Sequence, residues 1–209
     1  MIINSQIRQI GFSLFVVALI MGCSPAENKE NKESKEPQAK MTASAASEGM
    51  PQGKINDQRI NNAASEPGSW LAHGLDYKEQ RFSPLTQINR NTVKNLGLAF
   101  ELDVGTNKAL EATPIMVDNT LFFTSAYSIV HAVNASTGEE LWRYDPQVPR
   151  DFVRKACCGP INRGVSVYEG NVYVATLDGR LVAVDAGSGA KVWEVDTVID
   201  RDRYYSITG

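Results

Sequence analysis

Histidine is nearly missing from this chain: His73 and His131 are the only two in 209 residues. Cysteine is almost as scarce, with three. No Cys-x-x-Cys-His stretch occurs, which excludes covalent haem attachment within these residues. Basic side chains form no stripe. The 21 Lys and Arg are set against 24 Asp and Glu, for a net charge of −3, so nothing points to a nucleic-acid partner. No apolar run reaches the roughly 20 residues that a membrane-spanning helix needs. Gly187-Ser188-Gly189 is followed by strand-forming residues rather than a helix, which excludes a dinucleotide phosphate loop. Asp76 and Glu79 are two acids in a loop, a pairing that solvation explains without a metal.

The segment from Ser24 to Ser69 has no aromatic residue and few large aliphatic ones. Lys29, Glu30, Lys32, Glu33, Lys35 and Glu36 form a solvated run of mixed charge. Such a composition buries too little apolar surface to offset the entropy of ordering, so residues 24–69 are expected to be a disordered tether. Residues 1–23 read as an export signal, with Arg8 in the positive region and an apolar stretch over 12–21. Ile20-Met21-Gly22-Cys23 resembles a bacterial lipobox, which implies a lipid on Cys23 and a membrane anchor. Ser24 in place of an acid after the cysteine favours the outer membrane by resemblance to lipoprotein sorting. A plain signal peptide or signal anchor is the alternative.

The folded part is expected over residues 70–209, and it contains a repeat. Val117-Asp118-Asn119-Thr120 and Tyr168-Glu169-Gly170-Asn171 align without gaps, as do His131-Ala132-Val133-Asn134 and Val182-Ala183-Val184-Asp185. Trp142 aligns with Trp193, and the offset is 51 positions throughout. A period near 50 marks a repeat architecture. Each unit reads as four short strands: 114–117, 120–125, 128–134 and 140–144, then 164–168, 171–176, 180–185 and 190–195. Four strands per unit is a blade, so the expected fold class is all-β, a partial β-propeller. A β-sandwich is the runner-up, but it predicts no gapless long-period self-similarity. Trp142 and Trp193 end equivalent strands and are expected to dock between blades. Propellers close with about four to eight blades, so the sequence reads as the front of a larger protein, with exposed blade faces when isolated.

Cys157 and Cys158 are adjacent and are followed by Gly159-Pro160-Ile161-Asn162-Arg163-Gly164. Neighbouring Cα atoms lie about 3.8 Å apart, below the usual disulfide range of about 4.4–6.8 Å, so a bridge between them closes a small strained ring. Strain of this kind collects at functional sites. If Cys23 carries lipid, the other two cysteines have only each other in an oxidising compartment, and a ring disulfide is expected. The alternative is two free thiols that happen to adjoin.

Ala132-Val133-Asn134-Ala135-Ser136-Thr137-Gly138-Glu139-Glu140-Leu141-Trp142 resembles the tryptophan-docking motif of the quinoprotein alcohol dehydrogenases. The resemblance extends to Asp76-Tyr77-Lys78-Glu79-Gln80-Arg81-Phe82-Ser83-Pro84-Leu85, Glu111-Ala112-Thr113-Pro114, the cysteine segment, Leu177-Asp178-Gly179-Arg180 and Tyr205-Ser206-Ile207-Thr208-Gly209. It implies an eight-bladed propeller that binds pyrroloquinoline quinone and calcium. It also implies that Cys157 and Cys158 lie against one face of the quinone, with Arg163, Glu111 and Thr208 at its edge. A polarisable sulfur surface suits a flat conjugated ring, and a guanidinium fork suits its carboxylates. The family's calcium ligands and catalytic aspartate match no position here and are expected beyond Gly209. The implied activity is periplasmic oxidation of an alcohol by hydride transfer to the quinone, with a cytochrome as electron acceptor.

Two other readings compete. A non-enzymatic propeller lipoprotein that serves outer-membrane assembly shares the docking repeats and the lipobox, but has no need of the cysteine ring or Arg163. A cysteine hydrolase would need His73 or His131 as base. The repeat instead places His131 where the second unit has Val182, as a strand residue with a packing role.

Overall fold

Strand-forming residues recur along 115–134 and again along 166–185, separated by pairs that favour tight turns, and each stretch folds into an antiparallel meander. The structure, a computed structural model, describes residues 54–108 and 110–209. The first sheet contains β1 (Ile115–Val117), β2 (Thr120–Thr124), β3 (Val130–Asn134) and β4 (Glu140–Tyr144), paired in chain order. The second contains β5 (Ser166–Tyr168), β6 (Asn171–Ala175), β7 (Arg180–Asp185) and β8 (Lys191–Asp196), again in chain order. All eight strands overlap the segments that the repeat predicts.

The correspondence reaches the irregularities. The β3–β4 register shifts at Ala132/Val133, and the β7–β8 register shifts at Ala183/Val184, the same place in the repeat. The β1–β2 turn places Asp118 and Asn119 at φ 48° and 60°, and the β5–β6 turn places Glu169 and Gly170 at 47° and 78°. Left-handed backbone at both central residues matches the strand twist of a two-residue hairpin. Asn134 accepts from the Ser136 and Thr137 amides, and Asp185 accepts from those of Gly187 and Ser188, so each β3–β4-type turn closes on a side chain at the same position.

The sheets pack face to face. Ile115, Val117, Phe122, Val130 and Ala132 meet Val167, Val172, Val174, Val182 and Val184 in one buried cluster. Trp142, at the edge of this cluster, donates from Nε1 to the Ala186 carbonyl at 3.0 Å. Its ring lies over Gly189, where a Cβ would come within 2.7 Å of it. Phe100 lies over Gly138 in the equivalent way. The third member of the series, Trp193, is 41 % exposed on β8.

Two expectations are corrected. The predicted start of the third strand at Ser128 is too early, because Tyr127 and Ser128 adopt φ 62° and 60° and form a tight turn instead. The folded part also begins before Trp70. Helix α1 (Asp57–Asn61) is capped by the Asn56 side chain, which accepts from the Arg59 amide at 2.9 Å. Ile55, Ile60 and Ala63 are buried in the inter-sheet cluster. Arg59 pairs with Glu66 and Asp118, and the Glu169 amide donates to the Ile55 carbonyl, so this segment braces one turn from each sheet. Composition misjudged it because three modest apolar side chains suffice to anchor a short helix. The export signal, Cys23 and most of the expected tether lie outside the described residues. Among the described residues no helix is long and apolar enough to cross a membrane.

Candidate cofactor site

The leading ends of β1 and β5 come side by side, and the candidate site forms there. Thr113 and Gly164 make an isolated parallel bridge, with the Thr113 amide donating to the Arg163 carbonyl at 3.0 Å. Gly164 sits at φ 133°, and a Cβ there would meet the Thr113 carbonyl oxygen at 3.0 Å, so glycine permits the close approach. The Arg163 amide donates to the Thr208 carbonyl at 2.6 Å. The backbone of Arg163 is thus held from both sides.

Its side chain is held as well. Arg163 Nη1 donates to Thr208 Oγ1 at 2.5 Å, and Nη2 lies 3.6 Å from Glu111 Oε2. Three of the sequence-predicted residues, far apart in the chain, therefore meet. The Arg163 and Glu111 side chains are 48 % and 42 % exposed, so their attraction is worth no more than about 1 kcal/mol and its effect is orientation. With one lone pair of Oγ1 taken by the arginine, the Thr208 hydroxyl keeps its own proton to donate. A concavity of about 420 Å³ opens beside Arg163, with His73, Ser166, Tyr173 and Leu181 among its lining.

Cys157 and Cys158 are joined to each other by a disulfide, with Cα atoms 3.8 Å apart. Both are exposed, just after the 3-10 turn Arg150–Lys155. Their union leaves neither Cys157 nor Cys158 as a free thiol nucleophile and removes the hydrolase reading built on them. The stretch from the ring to the arginine turns inward: Pro160, Ile161 and Asn162 are buried, and Arg163 re-emerges. The Pro160 carbonyl accepts from the Tyr127 amide at 2.8 Å, which ties the loop to the left-handed turn between β2 and β3. Asn162 and Ser128, which sequence reasoning passed over, make the remaining bonds of this loop. A polar residue flanked by Ile161 and Arg163 was the available signal.

His131 has more than a packing role. It is fully buried and stacks on Phe123 at 5.0 Å between ring centroids. Its Nε2 lies 2.8 Å from Ser125 Oγ and its Nδ1 lies 2.7 Å from Glu140 Oε1. Burial pushes its pKa below the ordinary histidine value, against the pull of Glu140. Burial also opposes ionisation of Glu140, but hydrogen bonds from Arg143 and His131 outweigh it and hold that carboxyl below its usual range. A neutral imidazole therefore donates to Glu140 and accepts from Ser125. His73, the other histidine, lies 2.8 Å from Arg81 Nη2. In the Leu177–Arg180 motif, Arg180 pairs with Asp178 at 2.9 Å and donates to the Pro146 carbonyl at 2.8 Å, a bond between the sheets.

The donor set fits a flat, polycarboxylate redox cofactor: a guanidinium with half its surface open, a hydroxyl with a spare proton, and a sulfur pair on the same loop. It does not fit a metal. No group of three or more His, Cys, Asp or Glu that could hold an ion occurs among the described residues.

The chain is similar to known proteins. The family model described as PQQ: glucose/ethanol/alcohol dehydrogenase, β-propeller domain, matches residues 70–197. The 1-butanol dehydrogenase (cytochrome c) of Thauera butanivorans is 49 % identical over 142 residues, 68 % of this chain and 20 % of that protein. Quinohemoprotein alcohol dehydrogenase ADH-IIG of Pseudomonas putida is 46 % identical over 155 residues, 74 % of this chain and 22 % of its own length. The chain thus spans about a fifth of the curated relatives it matches. Among solved structures, the quinohemoprotein alcohol dehydrogenase of Comamonas testosteroni superposes with a TM-score of 0.72 at 39 % identity, covering 75 % of this chain and 23 % of that one. A europium-containing methanol dehydrogenase superposes with a TM-score of 0.68 at 32 % identity, covering 74 % and 27 %. The two sheets are β-propeller blades, and the chain belongs to the PQQ glucose/ethanol/alcohol dehydrogenase β-propeller family.

Proposed function

We propose that the protein of which this chain forms the front blades oxidises primary alcohols in the periplasm, using pyrroloquinoline quinone and passing electrons to a cytochrome. The observation that carries this reading is Arg163, fixed by Glu111 and Thr208 and joined by a short buried stretch to the Cys157–Cys158 disulfide, in a propeller of the quinone-binding family. The similarity to the 1-butanol dehydrogenase (cytochrome c) of Thauera butanivorans supports both the substrate class and the acceptor. A non-enzymatic scaffold explains neither the disulfide nor the held arginine.

The chain's own residues have definite tasks in this reading. Arg163 offers its open guanidinium edge to a carboxylate or carbonyl oxygen of the cofactor, and Glu111 keeps that edge turned outward. Thr208 donates its hydroxyl proton to a second edge oxygen. The exposed sulfur pair provides a polarisable wall for an aromatic face. When bound, the quinone supplies the two-electron acceptor for the substrate's hydride. By the family resemblance, calcium and the catalytic aspartate are assigned to parts of the protein outside this chain. Cys23 is assigned as a lipid attachment point that holds the protein at the outer membrane.

Dye-linked alcohol oxidation by the parent protein, loaded with quinone and calcium, tests the reading. Quinone-dependent turnover of a primary alcohol is expected. A folded protein that neither changes the quinone's absorbance nor oxidises any alcohol contradicts it. For the anchor, Cys23→Ser is expected to move the protein from the membrane fraction to the soluble periplasmic extract.

A further inference from the structure

Asn162 is 2 % exposed, and its side chain uses every hydrogen-bonding position an amide has. Nδ2 donates to Ser128 Oγ at 3.1 Å and to the Ala175 carbonyl at 2.8 Å. Oδ1 accepts from Thr124 Oγ1 at 2.9 Å and from the Gly164 amide at 3.1 Å. These partners come from the end of β2, the left-handed turn before β3, the end of β6 and the start of the β5 approach. One side chain therefore bolts both blades together immediately before Arg163.

Ser128 completes the fastening. Its hydroxyl oxygen also accepts from the Leu177 amide at 3.0 Å, and both Ser128 and Thr124 are fully buried. The turn that carries Ser128 holds the Pro160 carbonyl through the Tyr127 amide. The cysteine loop is thus pinned at Pro160 and at Asn162, with the disulfide on one side of the pins and Arg163 on the other.

We infer that Asn162 is a positioning residue for the quinone site, which sets the relative placement of the disulfide ring and the Arg163 guanidinium through the Thr124–Asn162–Ser128 bonds. This rests on the quinone-site reading above. An aspartate at 162 cannot donate to the Ala175 carbonyl and leaves a buried carboxylate oxygen facing it. Thr124→Val keeps the shape of its side chain and removes one donor, whereas Thr124→Ser keeps the donor.

The test is quinone affinity, followed by absorbance, in the parent protein, together with amide hydrogen exchange over residues 157–164. Thr124→Val is expected to weaken quinone binding about three- to tenfold, as one lost hydrogen bond implies, with faster exchange in the loop. Asn162→Asp is expected to weaken it more than about tenfold, and Thr124→Ser to stay within about twofold of wild type. A purely structural role lowers the melting temperature and leaves the folded fraction's affinity unchanged; that result overturns the inference. If Asn162→Asp does not fold, the Thr124→Val and Thr124→Ser pair decides alone. If the wild type itself binds no quinone, the functional reading fails. The positioning claim is then judged by exchange: unchanged protection of the loop in Thr124→Val overturns it.

Discussion

The two blades share strand lengths, turn chirality and the site of the bulge, but they differ in what lies against them. β4 alternates half-buried and exposed positions, and its Trp142 is clamped between Ala186 and Gly189. β8 is exposed at every position, and Trp193, Val192 and Val195 lie open. The same motif is thus a packing element in one place and an uncovered apolar surface in the other. A docking tryptophan stabilises through the blade after it, so a blade's stability belongs to the pair. The second difference is at the β2–β3 type of connection. The second blade turns on Gly179 at φ 86°, an easy residue for that conformation. The first turns on Tyr127 and Ser128, for which left-handed backbone costs about 1–2 kcal/mol each. Those two residues hold Pro160 and Asn162, so strain is concentrated in the blade that carries the site's supports.

The largest expected effect breaks the docked pair. Trp142→Ala is expected to cost about 3 kcal/mol in denaturant unfolding, while Trp193→Ala costs less than about 1 kcal/mol in this chain. In a chain extended by one further blade the two costs are expected to converge. Equal costs in the shorter chain would mean that docking does not stabilise the interface.

Gly189→Ala strikes the other half of that contact. Its φ of 70° and the Trp142 ring above it predict a loss of about 2 kcal/mol, with Trp142 fluorescence altered. Gly187→Ala, two residues away and with only an ordinary contact to Asp185, serves as the control and is expected to be near neutral. A neutral Gly189→Ala would remove the close packing from the account.

The third difference concerns pH. Only the first blade has a histidine at this position, where the second has Val182. The folded-state pKa of His131 is depressed, so the unfolded chain takes up the proton first as the medium is acidified. Its contribution is complete above the unfolded value of about 6.5 and is lost as pH falls from there toward the folded value. Glu140, also depressed, adds a loss in the same direction at lower pH, below the usual glutamate range. Acid destabilisation beginning near pH 6.5 is therefore expected to vanish in His131→Gln. Persistence of that limb in the variant would assign it elsewhere.

The smallest expected effect tests the strained turn. Arg150 lies 4.0 Å over the Tyr127 ring, and Arg150→Ala is expected to cost about 0.5 kcal/mol through lost cation–π contact.

Strand positions and the docking of Trp142 were legible because a 51-residue repeat states the pattern twice. The convergence of Glu111, Arg163 and Thr208 came from family resemblance, since nothing local to those residues records that they meet. What stayed hidden was non-repeating and non-local. Helix α1 rests on Ile55 and Ile60 finding a cleft that two blades make together. Asn162 becomes important only through Thr124, Ser128 and Ala175, which lie on other elements. The Ser125–His131–Glu140 chain requires a strand pairing to bring its members together.

The most direct test of the central claim is titration of the parent protein with pyrroloquinoline quinone, comparing wild type with Arg163→Met while the Cys157–Cys158 disulfide is intact. The wild type is expected to bind saturably, and the variant to bind at least about tenfold more weakly, the loss expected for a charge-assisted contact. Equal affinity in the two, with both proteins folded, would contradict the assignment of this loop to the quinone site.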